Sequence, residues 1–271
     1  DKYDSIAQNL NLKKTYQRGM MHYFHVQTHC ALNAGMYKQT MQLADRCRKS
    51  AIPDFLNAPA PFGNYSQYIY MTPVIALVRL GKWQEILSAS EPDNNWTYAC
   101  LLNDFAKGLA FIHTGNIDAA KRCLDSLQAK LKYPVLTVRN IPFNAPIKAA
   151  TIAEKILQGE ILFSEKKIDD AIISFKEAVA IEDDMIYREP KEWPIPSRQF
   201  LGAYLIKANK LVEAEKIYRE DLELNPNNGW SLFGLYQSLE QQHKYREAKE
   251  YKEKYLQAFS NADTEPVASV F

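Results

Sequence analysis

Apolar residues along this chain recur every three or four positions, in blocks separated by short polar or glycine-containing turns. The clearest block runs from Gly202 to Pro226. Between Arg198 and Ala208 the apolar positions are Leu201, Leu205 and Ile206; between Leu211 and Leu224 they are Ala214, Ile217, Tyr218, Leu222 and Leu224. This is helical spacing rather than strand alternation, and Asn209–Lys210 between the two runs is a turn signal. Gly202 and Ala214 leave room for two helices to approach closely, and Pro226 stops the second. The stretch predicts two short helices joined by a tight turn. Such a unit cannot bury its apolar face without a neighbour.

The unit recurs. Taking Ala214 as a marker, equivalent positions fall at Thr40, Ile86, Ala120, Ala171 and Ala248, so that successive markers are 46, 34, 51, 43 and 34 residues apart. Five residues before each marker stand Gly35, Gly81, Gly115, Lys166, Asn209 and His243. There the first helix should end on a left-handed residue, which Gly and then Asn tolerate best. Three residues before the marker are Tyr37, Trp83, Ile117, Ile168, Leu211 and Tyr245, large side chains expected to anchor the turn in the interior. Twelve before it, Gly108, Gly159 and Gly202 sit in mid-helix, where only close packing justifies glycine. A 34-residue step with these columns is the pattern of the tetratricopeptide (TPR) repeat. The expectation is an all-α chain forming one right-handed α-solenoid of about six TPR-like helix pairs over residues 1–271.

Three steps exceed 34 residues, and each excess coincides with a Pro- or aromatic-rich stretch: Ile52–Gln67, Tyr133–Pro146 and Tyr187–Pro196. These predict long inter-repeat loops at the edge of the array. Tyr3–Lys13 reads as the second helix of a preceding repeat, within an end segment 1–16. That half-repeat predicts further helical repeats ahead of Asp1, as in the C-terminal part of a longer protein, or self-association through the exposed N-terminal end. Residues 260–271 read as an irregular tail.

Composition narrows the function classes. A net charge of +1 carries no basic excess for nucleic acid, and no run of 18 apolar residues spans a membrane. The four cysteines form no metal-ligand spacing and read as buried thiols. Cys30 and Cys47 fall on paired helices, so a disulfide there stays open for an oxidising compartment. The compartment is not fixed, the cytoplasm being slightly favoured. Phosphate-loop, zinc-protease and Ser–His–Asp patterns are lacking in the sequence, so a non-catalytic chain with no cofactor is expected.

The last third also resembles a group of uncharacterised bacterial TPR proteins. The matching residues are Glu182-Asp183, Tyr187, Glu189-Pro190, Trp193, Pro196, Arg198, Leu201-Gly202-Ala203, Ala214-Glu215, Tyr218-Arg219, Asn225-Pro226, Asn228-Gly229-Trp230 and Leu232–Leu235. His22 and His25 resemble a His-x-x-His word of the same group. The chain departs from it at Lys191, Pro194 and Ile195. The resemblance implies an α-solenoid and no catalytic residues.

In a TPR array the first helix of each pair lines the concave face. Helical spacing places there His22, His25 and His29; Tyr68, Met71 and Ile75; Phe105 and Leu109; Glu160 and Phe163; and Trp230, Phe233 and Gln237. Read as surface, they form an aromatic groove for a protein or peptide, with Trp230 as the leading anchor. Read as core, they are covered by the inter-repeat loops. The Tyr187–Arg198 loop offers Glu189 and Arg198 as an ion pair over Trp193, able to hold a small ligand; the other reading is a rigid plug. Three histidines at i, i+3 and i+7 are also candidate metal ligands, against the simpler reading of a polar stripe. The leading expectation is a peptide-binding scaffold. The rival is a small-molecule- or metal-binding subunit using the histidine stripe and the Glu189 loop. An open apolar groove favours the first, and clustered polar groups in a closed pocket the second. Arg219–Glu220–Asp221 is expected on a solvated face.

Overall fold

The computed structural model describes residues 2–11, 18–140 and 142–271, and among them it is all helical. The chain opens with α1 (Lys2–Asn9), α2 (Arg18–Asn33), α3 (Tyr37–Ser50) and α4 (Pro53–Leu56). It continues through α5 (Phe62–Tyr70), α6 (Thr72–Arg79), α7 (Trp83–Ser88), α8 (Thr97–His113) and α9 (Ile117–Leu131). The remainder is α10 (Pro146–Ser164), α11 (Ile168–Asp183), α12 (Ser197–Lys207), α13 (Leu211–Leu224), α14 (Gly229–Gln241) and α15 (Tyr245–Ala258). Pairs joined by tight turns pack on each other (α2 with α3, α8 with α9, α10 with α11, α12 with α13, α14 with α15), and each pair packs on the next. In the second unit the first helix is broken at Met71, ahead of Pro73, into α5 and α6.

The turns follow the sequence pattern. Gly35, Gly81, Gly115, Lys166, Asn209 and His243 all adopt positive φ, between 59° and 85°. At Lys166 and His243 this conformation costs about 1 kcal/mol each. The marker residues Thr40, Ile86, Ala120, Ala171 and Ala214 are fully buried, and Ala248 nearly so. The six large residues three positions earlier are each the first residue of a second helix. They are half-buried rather than buried, and Tyr245 is 60% exposed, because a side chain at a helix start leans back over the turn and not into the pair.

Four expectations need correction. The long inter-repeat stretches do not stay at the edge: part of Ile52–Gln67 becomes α4 and the start of α5, and Trp193 to Pro196 are buried in the centre. The cysteines are all free, with Cys30 exposed, Cys47 buried and Cys100 and Cys123 half-buried. Asp221 is not on a solvated face but 1% exposed, accepting hydrogen bonds from Gln199 Nε2 at 3.2 Å and from the Ser231 hydroxyl. The 260–271 tail is irregular yet runs back into the array, where Ser269 and Val270 are fully buried. At the other end, Ile6 and Leu10 are exposed on and beside α1, and Lys13 lies outside the described residues.

The first and last units meet. Trp230 of α14 is fully buried, its indole N–H directed at the Leu32 carbonyl of α2 at 3.4 Å. The Arg79 guanidinium of α6 lies 4.1 Å from the Trp230 ring centroid. Asn228 Nδ2 donates to Asn33 Oδ1 at 3.2 Å. Beyond α15, Asp263 caps the start of α3 through the amides of Tyr37 and Lys38, while its own amide donates to the Gly35 carbonyl.

Helices approach closely at Tyr218, whose ring lies between two glycines. A Cβ on Gly202 would fall 2.4 Å from Tyr218 Cζ, and one on Gly234 only 2.2 Å away. Gly202→Leu should therefore destabilise by about 1–3 kcal/mol; an unchanged midpoint in urea denaturation would refute the close packing. Trp230→Ala should cost about 3–5 kcal/mol as a core truncation. Retention of wild-type stability in the same assay would return Trp230 to the surface.

Candidate functional site

The proposed groove residues are mostly core. Trp230, Phe105 and Glu160 are fully buried and Met71 is 1% exposed, with Ile75 and Leu109 buried beside them. Phe233 turns toward α15, edge-on to Tyr255 at 5.1 Å. Phe163 packs edge-on to Tyr204 at 4.8 Å, and Gln237 reaches the Val267 carbonyl of the tail. Residues Trp193–Pro196 of the Tyr187–Pro196 loop and Ser269–Val270 of the tail are buried among the helices.

That loop does not form the expected ion pair. Glu189 is exposed and accepts from the Tyr187 hydroxyl at 2.9 Å. Arg198 instead makes a bidentate pair with Asp183, at 2.5 and 2.8 Å. Trp193 is 2% exposed, its ring 5.5 Å from Phe105, so it plugs the centre. At the base of the loop the Ser197 amide donates to Glu182 at 2.6 Å, and burial raises the Glu182 carboxyl to about 7.

The histidine stripe divides. His22 is exposed, His29 is half-buried, and His25 is buried with its ring edge-on to Tyr68 and Nε2 3.3 Å from the Tyr68 hydroxyl. Burial is the main cause that lowers His25 to about 3 and His29 to about 4; neighbouring histidines add to it at His25, and Lys191 and Arg79 at His29. Both imidazoles are therefore neutral at ordinary pH. Among the described residues no three His, Cys, Asp or Glu side chains converge with metal-binding geometry.

What the structure does assemble is a recess of about 90 Å³ between α2, α5, α8, the start of α10 and two loops. Tyr65 and Tyr68 from α5, Tyr98 from α8 and Phe143 supply aromatic walls; His22 and His25 lie at one side, Arg188, Glu189 and Glu192 at the other. Asn144 holds the roof together: its amide and Nδ2 both donate to Glu192, Nδ2 also donates to the Ile186 carbonyl, and Oδ1 accepts from the Ile186 amide. Gln67 fixes the floor by donating to the Leu56 carbonyl and accepting from the amides of Tyr98 and Ala99 at the start of α8. Neither role shows in the sequence, where both residues are single amides within the long inter-repeat stretches.

The electrostatics of the recess are uneven. Burial raises the Glu192 carboxyl, although Asn144 and Arg188 oppose it. Arg188 stacks over Phe143 at 4.5 Å but makes no hydrogen bond or ion pair among the described residues, and its Nε is buried without a partner. A second cavity of about 180 Å³ behind the loop shares Arg188 and Glu192 with the recess, while Lys191 pairs there with Asn225 and Arg198 with Asp183. A wider cleft of about 700 Å³ marks the seam between the first and last units and lies open to solvent.

The buried imidazole sets a pH dependence. His25 titrates near 6.5 when unfolded and near 3 when folded, so the unfolded chain takes up the proton first. Its contribution to stability is complete above pH 6.5 and is lost as the pH falls toward 3, by about 1.4 kcal/mol per pH unit. Glu182 works in the opposite sense, stabilising below pH 4.5 and losing that contribution as the pH rises through about 7. Comparing His25→Gln with the wild type isolates the histidine. Between pH 7 and pH 5 the stability gap between the two should shrink by about 2 kcal/mol in urea titrations; a pH-independent gap would contradict a neutral buried His25.

No protein-family model and no curated protein matches this chain.

Proposed function

We propose that the chain is a TPR-like right-handed array of about six helix pairs whose role is binding rather than catalysis. The left-handed turn residues, the buried marker column and the stacking of successive pairs support that reading. Of the two modes of binding open from the sequence, the small-molecule mode fits the geometry better. The expected groove residues are mostly buried by the chain itself, whereas polar groups cluster in the aromatic recess beside His25 and the Glu189 loop.

The observation that carries this reading is Arg188. Arg188 lines the recess, stacks on Phe143 and makes no hydrogen bond or ion pair with a carboxylate among the described residues, the Glu192 charge acting on it only from a distance. A guanidinium in this state recognises a carboxylate through a forked pair of hydrogen bonds. Around it stand the faces of Tyr65, Tyr68 and Tyr98, suited to an apolar or aromatic body. The ligand class is therefore a small carboxylic acid with an apolar or aromatic side, held by Arg188 and seated against the tyrosines. Glu189 and Glu192 at the rim favour ligands that also carry an amino group.

Thermal-shift measurements with 3-phenylpropionate and with phenylethylammonium distinguish the charge selected. At a hundredfold excess over its dissociation constant a bound ligand adds about 2.7 kcal/mol, several degrees for a chain of this size. The carboxylate should raise Tm in the wild type and not in Arg188→Gln. Stabilisation by the ammonium compound alone, or by neither up to solubility, would overturn the proposal.

A further inference from the structure

The tail segment is held as a bound peptide would be. Residues 260–266 are irregular and largely exposed, a tether leading from α15. The segment then turns inward, with the amides of Val267 and Ala268 both donating to the Phe271 carbonyl at 3.3 Å. Val267 is 76% exposed, while Ser269 and Val270 are fully buried.

Two positions, Ser269 and Phe271, are read by separate groups, with Val270 buried between them. Arg79 Nη1 donates to the Ser269 carbonyl at 3.1 Å. The Ser269 hydroxyl lies 2.7 Å from the Tyr218 hydroxyl and donates to the Gln199 carbonyl at 2.9 Å. The Phe271 ring stands edge-on to Trp83 at 4.7 Å, His113 at 4.9 Å and Phe200 at 5.6 Å. These floor residues come from α6, α7, α8, α12 and α13, each held in its pair by contacts that do not involve the tail. Arg79 is fully buried, makes no ion pair among the described residues, and keeps one unpartnered nitrogen, Nη2. Backbone capture by a guanidinium, a hydroxyl read by two groups and an aromatic anchor in an aromatic box together constitute a peptide-recognition mode.

We propose that this floor is an acceptor for a peptide segment of another protein carrying a hydroxyl, an aliphatic and an aromatic residue in succession. The chain's own Ser269-Val270-Phe271 occupies it in cis as a competitor. The short tethered segment can leave without breaking a helix pair, at the cost of the Ser269 hydrogen bonds to Arg79, Tyr218 and Gln199. This acceptor is separate from the recess of Arg188, so either site can fail without the other.

The test uses the full chain with a protease site inserted between Thr264 and Glu265. The probe is a fluorescein-labelled peptide of the sequence Glu265–Phe271, followed by fluorescence anisotropy. The cut protein should keep its helical circular dichroism and bind the probe at least tenfold more tightly than the uncut protein. Probes carrying Ser269→Ala or Phe271→Ala should bind the cut protein at least tenfold more weakly. Full-length Phe271→Ala, uncut, should also take up the wild-type probe, which supplies the test should cutting destabilise the fold. Equal binding of a scrambled probe, or no binding by both the cut protein and Phe271→Ala, would overturn the proposal. A dimer with exchanged tails would assign the acceptor to a second copy and overturn the separate partner.

Discussion

The structure depends on one buried charge. Arg79 is fully buried, and burial alone lowers its guanidinium to about 9 despite the opposing charge of Asp221. An isolated ion in such a place is costly. Here the cost is offset by the face of Trp230 at 4.1 Å and by the Ser269 carbonyl at 3.1 Å. Those two partners come from the last unit and its tail: Trp230 lies in the first turn of α14, and Ser269 lies beyond α15. Burying Arg79 therefore requires the last unit and the tail to fold back over the second unit. Trp230 in turn donates toward Leu32, which draws in the first. Behind it, Gln199 Nε2 donates to Asp221 and Ser231, and the Ser231 hydroxyl donates to Asp221, so that α12, α13 and α14 share polar contacts rather than a purely apolar seam.

The helix pairs were legible in the sequence because they are local. A left-handed turn residue and a marker buried against its own pair are fixed within about 15 residues, the scale on which helical periodicity operates. Hence Lys166 and His243, poor residues for positive φ, still revealed their turns by position. The candidate site was less legible. Trp230, Phe105 and Met71 carry the spacing of an inner stripe, but spacing cannot tell an exposed stripe from one covered by a segment far along the chain. Trp193 covers Phe105, Leu32 and Arg79 cover Trp230, and nothing local to those residues announces it. Asp221 misled for a related reason: beside Arg219 and Glu220 it resembles a surface charge, yet its buried partners are Gln199 and Ser231.

The recess owes its roof to the inserted stretches. Inserted stretches lengthen three junctions and supply Asn144, Arg188, Glu192 and Trp193, which no regular helix pair carries at its junction. Part of that added chain plugs the middle, and the rest roofs the recess over Tyr65, Tyr68 and Tyr98. The proposed ligand recess thereby rests on the insertions, while the regular pairs provide its frame.

Closure of the array on itself is the central claim, and overall size tests it directly. The accessible surface of 13064 Å² lies near the roughly 12,000 Å² of a compact monomer of 31.1 kDa. Small-angle X-ray scattering on the monomer should give a radius of gyration of about 18–19 Å, the value for a compact chain of 271 residues. A radius well above that, with a long tail in the pair-distance distribution, would describe an open superhelix in which Arg79 and Trp230 do not meet, and would contradict the account.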